Sequence, residues 1–140
     1  MNIKNIFRTD TEKTRLGRFG ENTAVKYLKK NGYKICKRNF IAADAEIDII
    51  AENKDTTVFV EVKTRRALPS FTTPRAAAAV TPEKQRKILR AAAAYREKDE
   101  KKRYRFDVIE VYAEGSALLR AKEIRHLVGT FNRDTAFSRR

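Results

Sequence analysis

Two stretches of alternating apolar and polar residues stand near the middle of the chain, at Asp44–Ala51 and Thr56–Lys63. Alternation with a period of two is typical of β-strands. The polar residues Asn53–Asp55 between the two stretches suit a tight turn. We therefore predict an antiparallel β-hairpin over Asp44–Lys63, and the rest of the chain is organised around it.

The alternation also assigns the side chains of this hairpin to its two faces. Ile47 and Ile49 are expected to share one face of the first strand. The other face of that strand would carry Glu46, Asp48 and Ile50. In the second strand, one face would carry Val58, Val60 and Val62. The opposite face would carry Phe59, Glu61 and Lys63.

Apolar residues at helical spacing predict a first helix over Thr14–Asn31, with Thr14 or a neighbour as its N-cap. Gly32 follows as a left-handed C-terminal cap. Gly20 lies on a stripe of small residues that would let this helix approach a sheet closely. Glu21, one position from that stripe, is either a solvated carboxylate or a group aimed at the sheet.

A second helix is predicted over about Pro82–Lys98, with Thr81 as the N-cap and proline at the first helical position. Its apolar stripe contains Ile88, Ala92 and Tyr95. Basic side chains cover much of the remaining surface: Lys84, Arg86, Lys87 and Arg90. This basic face is either a solvated helix surface or one that contacts phosphate groups.

Three further strands are predicted from alternating or apolar runs, at Tyr33–Phe40, Tyr104–Tyr112 and Ile124–Val128. The segments between elements include Ile41–Ala45 as a short connection, Thr64–Thr73 as a loop, and Arg75–Val80 as one alanine-rich helical turn. A helix separates the second hairpin strand from the next strand, as a parallel crossover requires. The order predicts an α/β fold with a mixed sheet and helices packed against it.

The length of 140 residues suits one domain, which we place at residues 13–130. Residues 1–12 are predicted to form a flexible arm, and residues 131–140 a basic tail. The net charge of +14 and the pI of about 10.2 favour a polyanionic partner. Nucleic acid is the simplest such partner, and an anionic membrane surface is the other candidate.

Several classes of protein are disfavoured by the same composition. No apolar run approaches the roughly 20 residues of a membrane span, and the N-terminus lacks the apolar region of a secretory signal. Cys36 is the single cysteine, which excludes an intrachain disulfide and a cysteine-cluster metal site. We therefore expect a cytoplasmic protein. His126, the single histidine, lies in an apolar run and is expected to be structural.

The charged residues of the hairpin are the main candidates for chemistry. Asp48 and Glu61 would lie on neighbouring strands, with Lys63 two positions further along. A buried charge is costly unless it is paired or holds a metal ion. Two carboxylates and a lysine could supply oxygen ligands for Mg²⁺ and an ammonium beside a phosphate. The alternative is a cross-strand salt bridge on a solvated hairpin face.

The motifs of this chain resemble those of the YraN-like family of bacterial proteins. They are LGRFGENTAVKYL at Leu16–Leu28, NGY at Asn31–Tyr33, EIDIIA at Glu46–Ala51, FVEVKTR at Phe59–Arg65 and RFDVI at Arg105–Ile109. Similarity places that family among the PD-(D/E)XK nucleases, near archaeal Holliday-junction resolvases. The resemblance implies a restriction-endonuclease-like fold, with a mixed β-sheet flanked by helices. One departure is Ala45, which stands where the family usually has glycine.

The resemblance also implies roles for particular residues. Asp48 and Glu61 match the metal-binding acids, and Lys63 matches the lysine that positions the attacking water. Glu21 matches an acid of the first helix that completes the metal site in resolvase-like members. The implied cofactor is Mg²⁺ or Mn²⁺. Nucleic-acid contacts are expected from Arg65, Arg66, Lys84, Gln85, Arg86, Lys87 and Arg90.

Three functions remain open from the sequence. The first is a metal-dependent endonuclease that hydrolyses phosphodiester bonds in structured or branched DNA, with a homodimer implied because two symmetric cuts need two sites. The second is a nucleic-acid-binding module of the same fold with little or no catalysis. The third is a basic adaptor for a protein or membrane partner. Without a base-reading motif, sequence-specific cutting is not expected.

Overall fold

A computed structural model describes residues 11–67, 80–96, 102–132 and 136–137 of the chain. Its helices are α1 (Glu12–Lys30) and α2 (Pro82–Arg96). Its strands are β1 (Lys34–Ala42), β2 (Ala45–Glu52), β3 (Thr56–Arg66), β4 (Arg103–Glu114) and β5 (Arg120–Phe131). The helical turn predicted at Arg75–Val80 lies outside the described residues except for Val80.

The strands form one mixed sheet in the order β1-β2-β3-β4-β5. β3 and β4 pair in parallel, and the other neighbouring pairs are antiparallel. The connection between the parallel strands contains α2, as the sequence predicted. The described chain is therefore an α/β fold with a five-stranded sheet flanked by two helices, which confirms the predicted fold class at that level.

The two helices cover opposite faces of the sheet. On the α1 side, Ala24 and Leu28 pack in a core with Val58 and Val60. On the α2 side, Ile88 packs in a second core that also contains Ala92, Phe59 and Phe106. The predicted faces of the second hairpin strand and the predicted apolar stripe of α2 are thus confirmed.

The prediction that Ile47 and Ile49 share one face of the first hairpin strand is wrong. Ile47 packs on the α2 side with Ile50, whereas Ile49 packs on the α1 side. The alternation therefore breaks at Asp48. On the facing strand β1, Asn39 has a φ of 53° and lies between the register pairs that hold Ile49 and Ile47. Because of this local irregularity, Ile47 packs in one core and Ile49 in the other, although a regular strand would point both to the same side.

The connections around the hairpin are shorter than predicted. β1 continues to Ala42 and β2 begins at Ala45, so a two-residue turn replaces the connection predicted at Ile41–Ala45. Both turn residues, Ala43 and Asp44, have positive φ, as a tight hairpin turn of this kind requires. The backbone at Ala45 does not have a positive φ, so alanine at this position causes no backbone strain.

The loop predicted at Thr64–Thr73 is wrong in its first part. Residues Thr64–Arg66 belong to β3 and pair with β4, because the parallel strand partner extends the ladder beyond Lys63. The remainder of that prediction, from residue 68 onward, lies outside the described residues.

The predicted helix boundaries need only small changes. Thr11, rather than Thr14, is the N-cap of α1, and its hydroxyl accepts a hydrogen bond from the Thr14 N–H. Gly32 has a φ of 89°, which suits the predicted left-handed cap. At α2, the Thr81 hydroxyl accepts a hydrogen bond from the Lys84 N–H, as an N-cap does.

A close approach fixes α1 against β3. A Cβ atom built on Gly20 would lie 1.7 Å from the Thr64 hydroxyl oxygen, far inside van der Waals contact. Only a residue without a side chain fits at this crossing. The small-residue stripe predicted for α1 therefore has the expected packing role.

A polar network is buried on the α1 side of the sheet. Asp107 is completely buried and accepts hydrogen bonds from Arg105 and from the Gly129 N–H, while the His126 Nε2 lies 2.7 Å from its Oδ2. The other ring nitrogen of His126 lies 3.1 Å from the Tyr27 hydroxyl. The histidine thus links α1, β4 and β5. Neither described helix is long and apolar enough to cross a membrane.

Candidate metal and phosphate site

An acidic cleft of about 440 Å³ opens on the α2 side of the sheet, between the hairpin and the first turns of α2. Five acidic residues line it: Asp44, Glu46, Asp48, Glu61 and Glu83. Lys84 and Lys87, both on α2, are the basic residues of its lining. The acids outnumber the lysines in a chain whose net charge is +14, so this cleft differs sharply from the protein as a whole.

Asp48 sits at the point where β2 changes its alternation. Its Oδ2 accepts a hydrogen bond of 2.8 Å from the Val62 N–H of β3. Burial, reinforced by the charge of Glu61, raises the pKa of Asp48 from an ordinary 3.8 to about 7. Because burial disfavours the charged form, the Asp48 carboxyl group is only partly ionised at neutral pH.

Glu61, on the next strand, is the second buried acid of the cleft and is 6% exposed. Two ammonium groups share one of its oxygens. The Lys84 Nζ lies 2.5 Å from Glu61 Oε1, and the Lys63 Nζ lies 3.5 Å from the same atom. Lys63 reaches Glu61 because residues two positions apart point to the same face of a strand.

Lys84 brings the charge of α2 into the cleft. Burial alone would lower the pKa of Lys84, but the hydrogen bond to Glu61 and the charges of Glu61 and Asp48 outweigh it and leave the pKa raised. Lys84 is therefore a stable cation beside both acids. The geometry places it with Asp48, Glu61 and Lys63.

Glu21 approaches this group from α1 but is not part of the cleft lining. Its pKa is raised, first by burial and then by the charges of Glu46 and Glu61, while Arg38 acts in the opposite direction. The Arg38 Nη2 lies 4.0 Å from a carboxylate oxygen of Glu21. The acids of the cleft therefore influence the pKa of Glu21, which also has Arg38 as a basic neighbour.

The other basic residues singled out in the sequence are dispersed. Arg65 is exposed on the face of β3 that carries Glu61 and Lys63. Arg66 lies on the opposite face, where its Nε donates to Glu12 at 2.9 Å, so the fold does not bring it to the cleft. Lys87 lines the cleft and lies 3.9 Å from Glu83, one helical turn earlier.

Three residues of α2 complete that set. The Gln85 amide donates to the Val80 carbonyl at 2.9 Å, which ties down the residue before the helix N-cap. The Arg86 guanidinium donates to the Ala136 carbonyl at 2.7 Å. Arg90 is exposed. Of the α2 residues expected to contact nucleic acid, only Lys84 and Lys87 line the cleft.

Sequence reasoning did not single out three of the acids in the lining, Asp44, Glu46 and Glu83. Glu46 was predicted to share a face with Asp48, but the alternation breaks at Asp48, so that prediction does not explain its place in the cleft. Asp44 and Glu83 carried no signal, since a turn and the start of a helix have no alternation from which a shared cleft can be predicted.

The chemistry of Asp48 and Glu61 fits a hard divalent cation. Carboxylate oxygens are the ligands that Mg²⁺ takes, and it is commonly held by one or two carboxylates together with substrate phosphates and water. Burial is the main cause of the raised pKa of Asp48, and a bound cation would favour its ionised form. Within the described ranges, no group of three or more His, Cys, Asp or Glu side chains forms a complete metal site.

Comparison with known proteins assigns the chain to a family. The sequence model of a family described as "Uncharacterised protein family UPF0102" matches residues 20–111, which include Asp48, Glu61, Lys63 and Lys84. A UPF0102 protein of Caldicellulosiruptor saccharolyticus is 50% identical over 102 residues, covering 71% of this chain and 84% of that protein.

Two further relatives are similar over more of the chain. A UPF0102 protein of Caldanaerobacter subterraneus is 42% identical over 121 residues, covering 85% of this chain and 96% of the relative. One from Flavobacterium johnsoniae is 38% identical over 125 residues, covering 86% and 96%. The chain therefore belongs to the UPF0102 family, the YraN-like family that its motifs resemble.

Proposed function

We propose that this protein is a metal-dependent endonuclease that hydrolyses phosphodiester bonds in structured or branched DNA. The observation that carries the proposal is the acidic cleft, which holds the buried pair Asp48 and Glu61 in a chain of net charge +14. A strongly basic protein attracts nucleic acid, and an acidic cleft within it would repel phosphate unless a cation were bound there. The resemblance to PD-(D/E)XK nucleases, and the restriction-endonuclease-like fold that it implies, are part of this proposal.

Asp48 and Glu61 would hold the ion, Mg²⁺ or Mn²⁺. Such an ion supplies Lewis acidity, which offsets phosphate charge and makes water a stronger acid. The Val62 N–H holds Asp48 Oδ2 in place and leaves the other carboxylate oxygen to the cleft. Because the two acids lie on hydrogen-bonded strands, their separation is set by the sheet rather than by a loop.

The two lysines would act on the phosphate. Lys63 would orient the attacking water and stabilise the charge that develops on the phosphate oxygens. Lys84 would leave Glu61 when the ion binds and offer its ammonium to the same phosphate. Lys87, about one helical turn after Lys84, adds a second positive charge from α2 to the lining of the cleft.

A second candidate function is a nucleic-acid-binding module without catalysis on its own. The observation that favours it is the ion pair between Lys84 and Glu61, which already satisfies one of the two acids without a metal ion. In this case the net charge of +14 would account for binding, and the cleft would be a structural charge cluster.

Cleavage assays on matched variants separate these functions. Three proteins are compared: the native protein, Asp48→Asn and Asp55→Asn. Each is incubated with labelled four-way, flapped, duplex or single-stranded DNA in the presence of Mn²⁺ or Mg²⁺. Asparagine at position 48 keeps an acceptor for the Val62 N–H. Asp55 lies in the exposed turn of the same hairpin, so its substitution removes an equal charge away from the cleft.

Cleavage by the native protein and by Asp55→Asn, together with its loss in Asp48→Asn, supports the endonuclease. Binding is measured in parallel by fluorescence anisotropy and is expected to persist in all three proteins. Equal cleavage by Asp48→Asn would exclude the proposed site. Binding without cleavage of any substrate would favour the second candidate function.

A further inference from the structure

A buried carboxylate on β4, Glu110, has no part in the chemistry proposed above. Its side chain is 1% exposed. The Tyr112 hydroxyl donates to its Oε2 at 2.8 Å, and burial together with Glu110 raises the pKa of Tyr112 to about 12. Oε1 of Glu110 has no hydrogen-bond partner in the part of the chain that the structure describes. Leaving a buried acceptor without a hydrogen bond is energetically costly, and more so for a charged group.

The register of the sheet places Glu110 beside Lys63 of β3. In the parallel pairing of β3 and β4, Glu110 is the direct partner of Lys63. Phe59 and Phe106, which are also partners, both lie in the α2-side core. Because alternate residues share a face, Lys63 and Glu110 project from the same side of strands about 4.8 Å apart.

The two carboxylates near Lys63 differ in their direct contacts with positively charged groups. Glu61 Oε1 has two ammonium neighbours, from Lys84 and Lys63. Glu110 Oε1 accepts no hydrogen bond from the described residues. Arg125, the partner of Glu110 on β5, donates from its Nε to Glu123 at 2.7 Å, and the charge of Glu110 also helps to raise the pKa of Arg125.

We propose that Glu110 is the positioning residue of Lys63: when a divalent cation neutralises Glu61, the Lys63 ammonium moves to Glu110 Oε1. The inference rests on the proposed function for the presence of that cation. A metal ion at Glu61 repels the ammonium, and the neighbouring strand offers it a carboxylate oxygen with an open acceptor site. Glu110 then keeps Lys63 charge-compensated beside the cleft instead of letting it compete for the metal ligand.

The test is a double-mutant cycle read out by metal affinity, without DNA. Isothermal titration calorimetry measures the Kd for Mn²⁺ of the native protein, Glu110→Gln, Lys63→Met and the double variant. Without Glu110, the ammonium stays on Glu61 and competes with the ion, so Glu110→Gln is expected to weaken binding about fivefold. In the Lys63→Met background the same substitution is expected to change the Kd less than twofold.

A simple effect of removing one negative charge would weaken binding equally in both backgrounds, and that result would overturn the proposal. Glu114→Gln is the charge-matched control, because Glu114 lies at the end of β4 and pairs with Arg120, and it is expected to leave the cycle unchanged. Glu110→Asp, which keeps the charge and withdraws the carboxylate, replaces Glu110→Gln if the glutamine variant does not fold. A smaller effect of the same pattern is then expected.

The outcomes separate this proposal from the one on which it rests. If the native protein binds no Mn²⁺, the metal site of the proposed function is refuted, and the role of Glu110 is refuted with it. If Mn²⁺ binds and Asp48→Asn abolishes the binding, the metal site stands. Additive effects of the two substitutions in that case would refute the role of Glu110 alone.

Discussion

The Lys84 ammonium of α2 lies 2.5 Å from Glu61 Oε1, and the charge of Lys84 also acts on Asp48. One lysine thus supplies positive charge to both buried acids of the cleft. A divalent cation that used the same acids would have to displace this ammonium. The contact between Lys84 and Glu61 would therefore weaken the binding of a divalent cation at these acids.

Replacing Lys84 by methionine is expected to tighten the binding of Mn²⁺ by about tenfold, because the competing ammonium is removed. Calorimetry without DNA measures this effect. Lys87→Met is the matched control: it lies in the same cleft one turn along α2, but its lysine faces Glu83 at 3.9 Å. Weaker or unchanged Mn²⁺ binding in Lys84→Met would mean that the ammonium and the ion do not use the same site.

Asp48→Asn is expected to stabilise the protein in the absence of divalent ions. Because the pKa of Asp48 is about 7 in the folded protein and near 3.8 when unfolded, its ionisation favours unfolding as the pH rises between these values. The gain from the substitution is therefore smaller at pH 5 than at pH 8, where it reaches at most about 4 kcal/mol.

Urea unfolding in EDTA at pH 5 and pH 8 measures this gain, with Asp55→Asn as the control for the loss of one charge on the same hairpin. A stability difference between Asp48→Asn and the native protein that is identical at the two pH values would contradict the assigned environment of the carboxylate. Addition of Mn²⁺ is expected to reverse the order of stability, because only the native site gains binding energy.

Asp107→Asn is expected to destabilise the fold by about 2–4 kcal/mol, because it weakens a buried network that includes Arg105 and His126. Burial alone would raise the pKa of Asp107, but hydrogen bonds from His126, Arg105 and Gly129 outweigh it and leave the pKa lowered. Its stabilising effect is thus present above pH 3.8 and lost as the pH falls through the folded pKa.

Denaturant titrations at pH 7 and in the acid range test this role of Asp107. The stability gap between the native protein and Asp107→Asn is expected to shrink as the carboxylate is protonated. A constant gap at every pH would show that packing, rather than charge, accounts for the loss.

Two glycines of α1 provide an internal comparison of packing. Gly20→Ala is expected to destabilise the protein by about 1–3 kcal/mol, because its Cβ would lie 1.7 Å from the Thr64 hydroxyl. Gly17→Ala meets nothing within 4 Å and is expected to stabilise the helix by up to about 1 kcal/mol.

Thermal unfolding of both glycine variants and of the Gly20→Ala/Thr64→Ala double variant measures this difference. The second substitution removes Oγ1 and Cγ2 but leaves a Cβ contact at 2.8 Å, so partial rescue is expected. Equal stabilities for Gly17→Ala and Gly20→Ala would show that α1 does not approach β3 so closely.

Arg90→Ala tests whether the exposed surface of α2 contacts phosphate groups. Each lost phosphate contact is expected to reduce the slope of log K against log salt by about one. Lys30→Ala, at the end of α1 on the other side of the sheet, removes the same charge and is the control. Fluorescence anisotropy over a range of salt concentrations gives both slopes, and identical slopes would place Arg90 outside the interface.

Local periodicity was enough to predict much of the architecture. The hairpin, the two helices and the parallel crossover all followed from alternation, helical spacing and capping residues, because these patterns report the conformation of neighbouring residues. The same periodicity placed Glu61 and Lys63 on one face of β3. It also placed Asp48 on the neighbouring strand, since a short turn leaves little freedom in how a hairpin pairs.

Tertiary structure alone decided which side chains meet. The break of alternation at Asp48 depends on β1 and on two cores that compete for Ile47 and Ile49. The crossover brings Lys84 into contact with Glu61. Arg66 is only five residues after Glu61 in sequence, but its side chain projects to the other side of the sheet.

The environment of Glu110 likewise comes from the register of two strands that are distant in sequence. Such contacts depend on packing between distant segments, and the period of a single segment carries no information about them. The sequence by itself therefore determined the elements and the chemical types of the candidate residues. Only the fold decided which of those residues share a cleft.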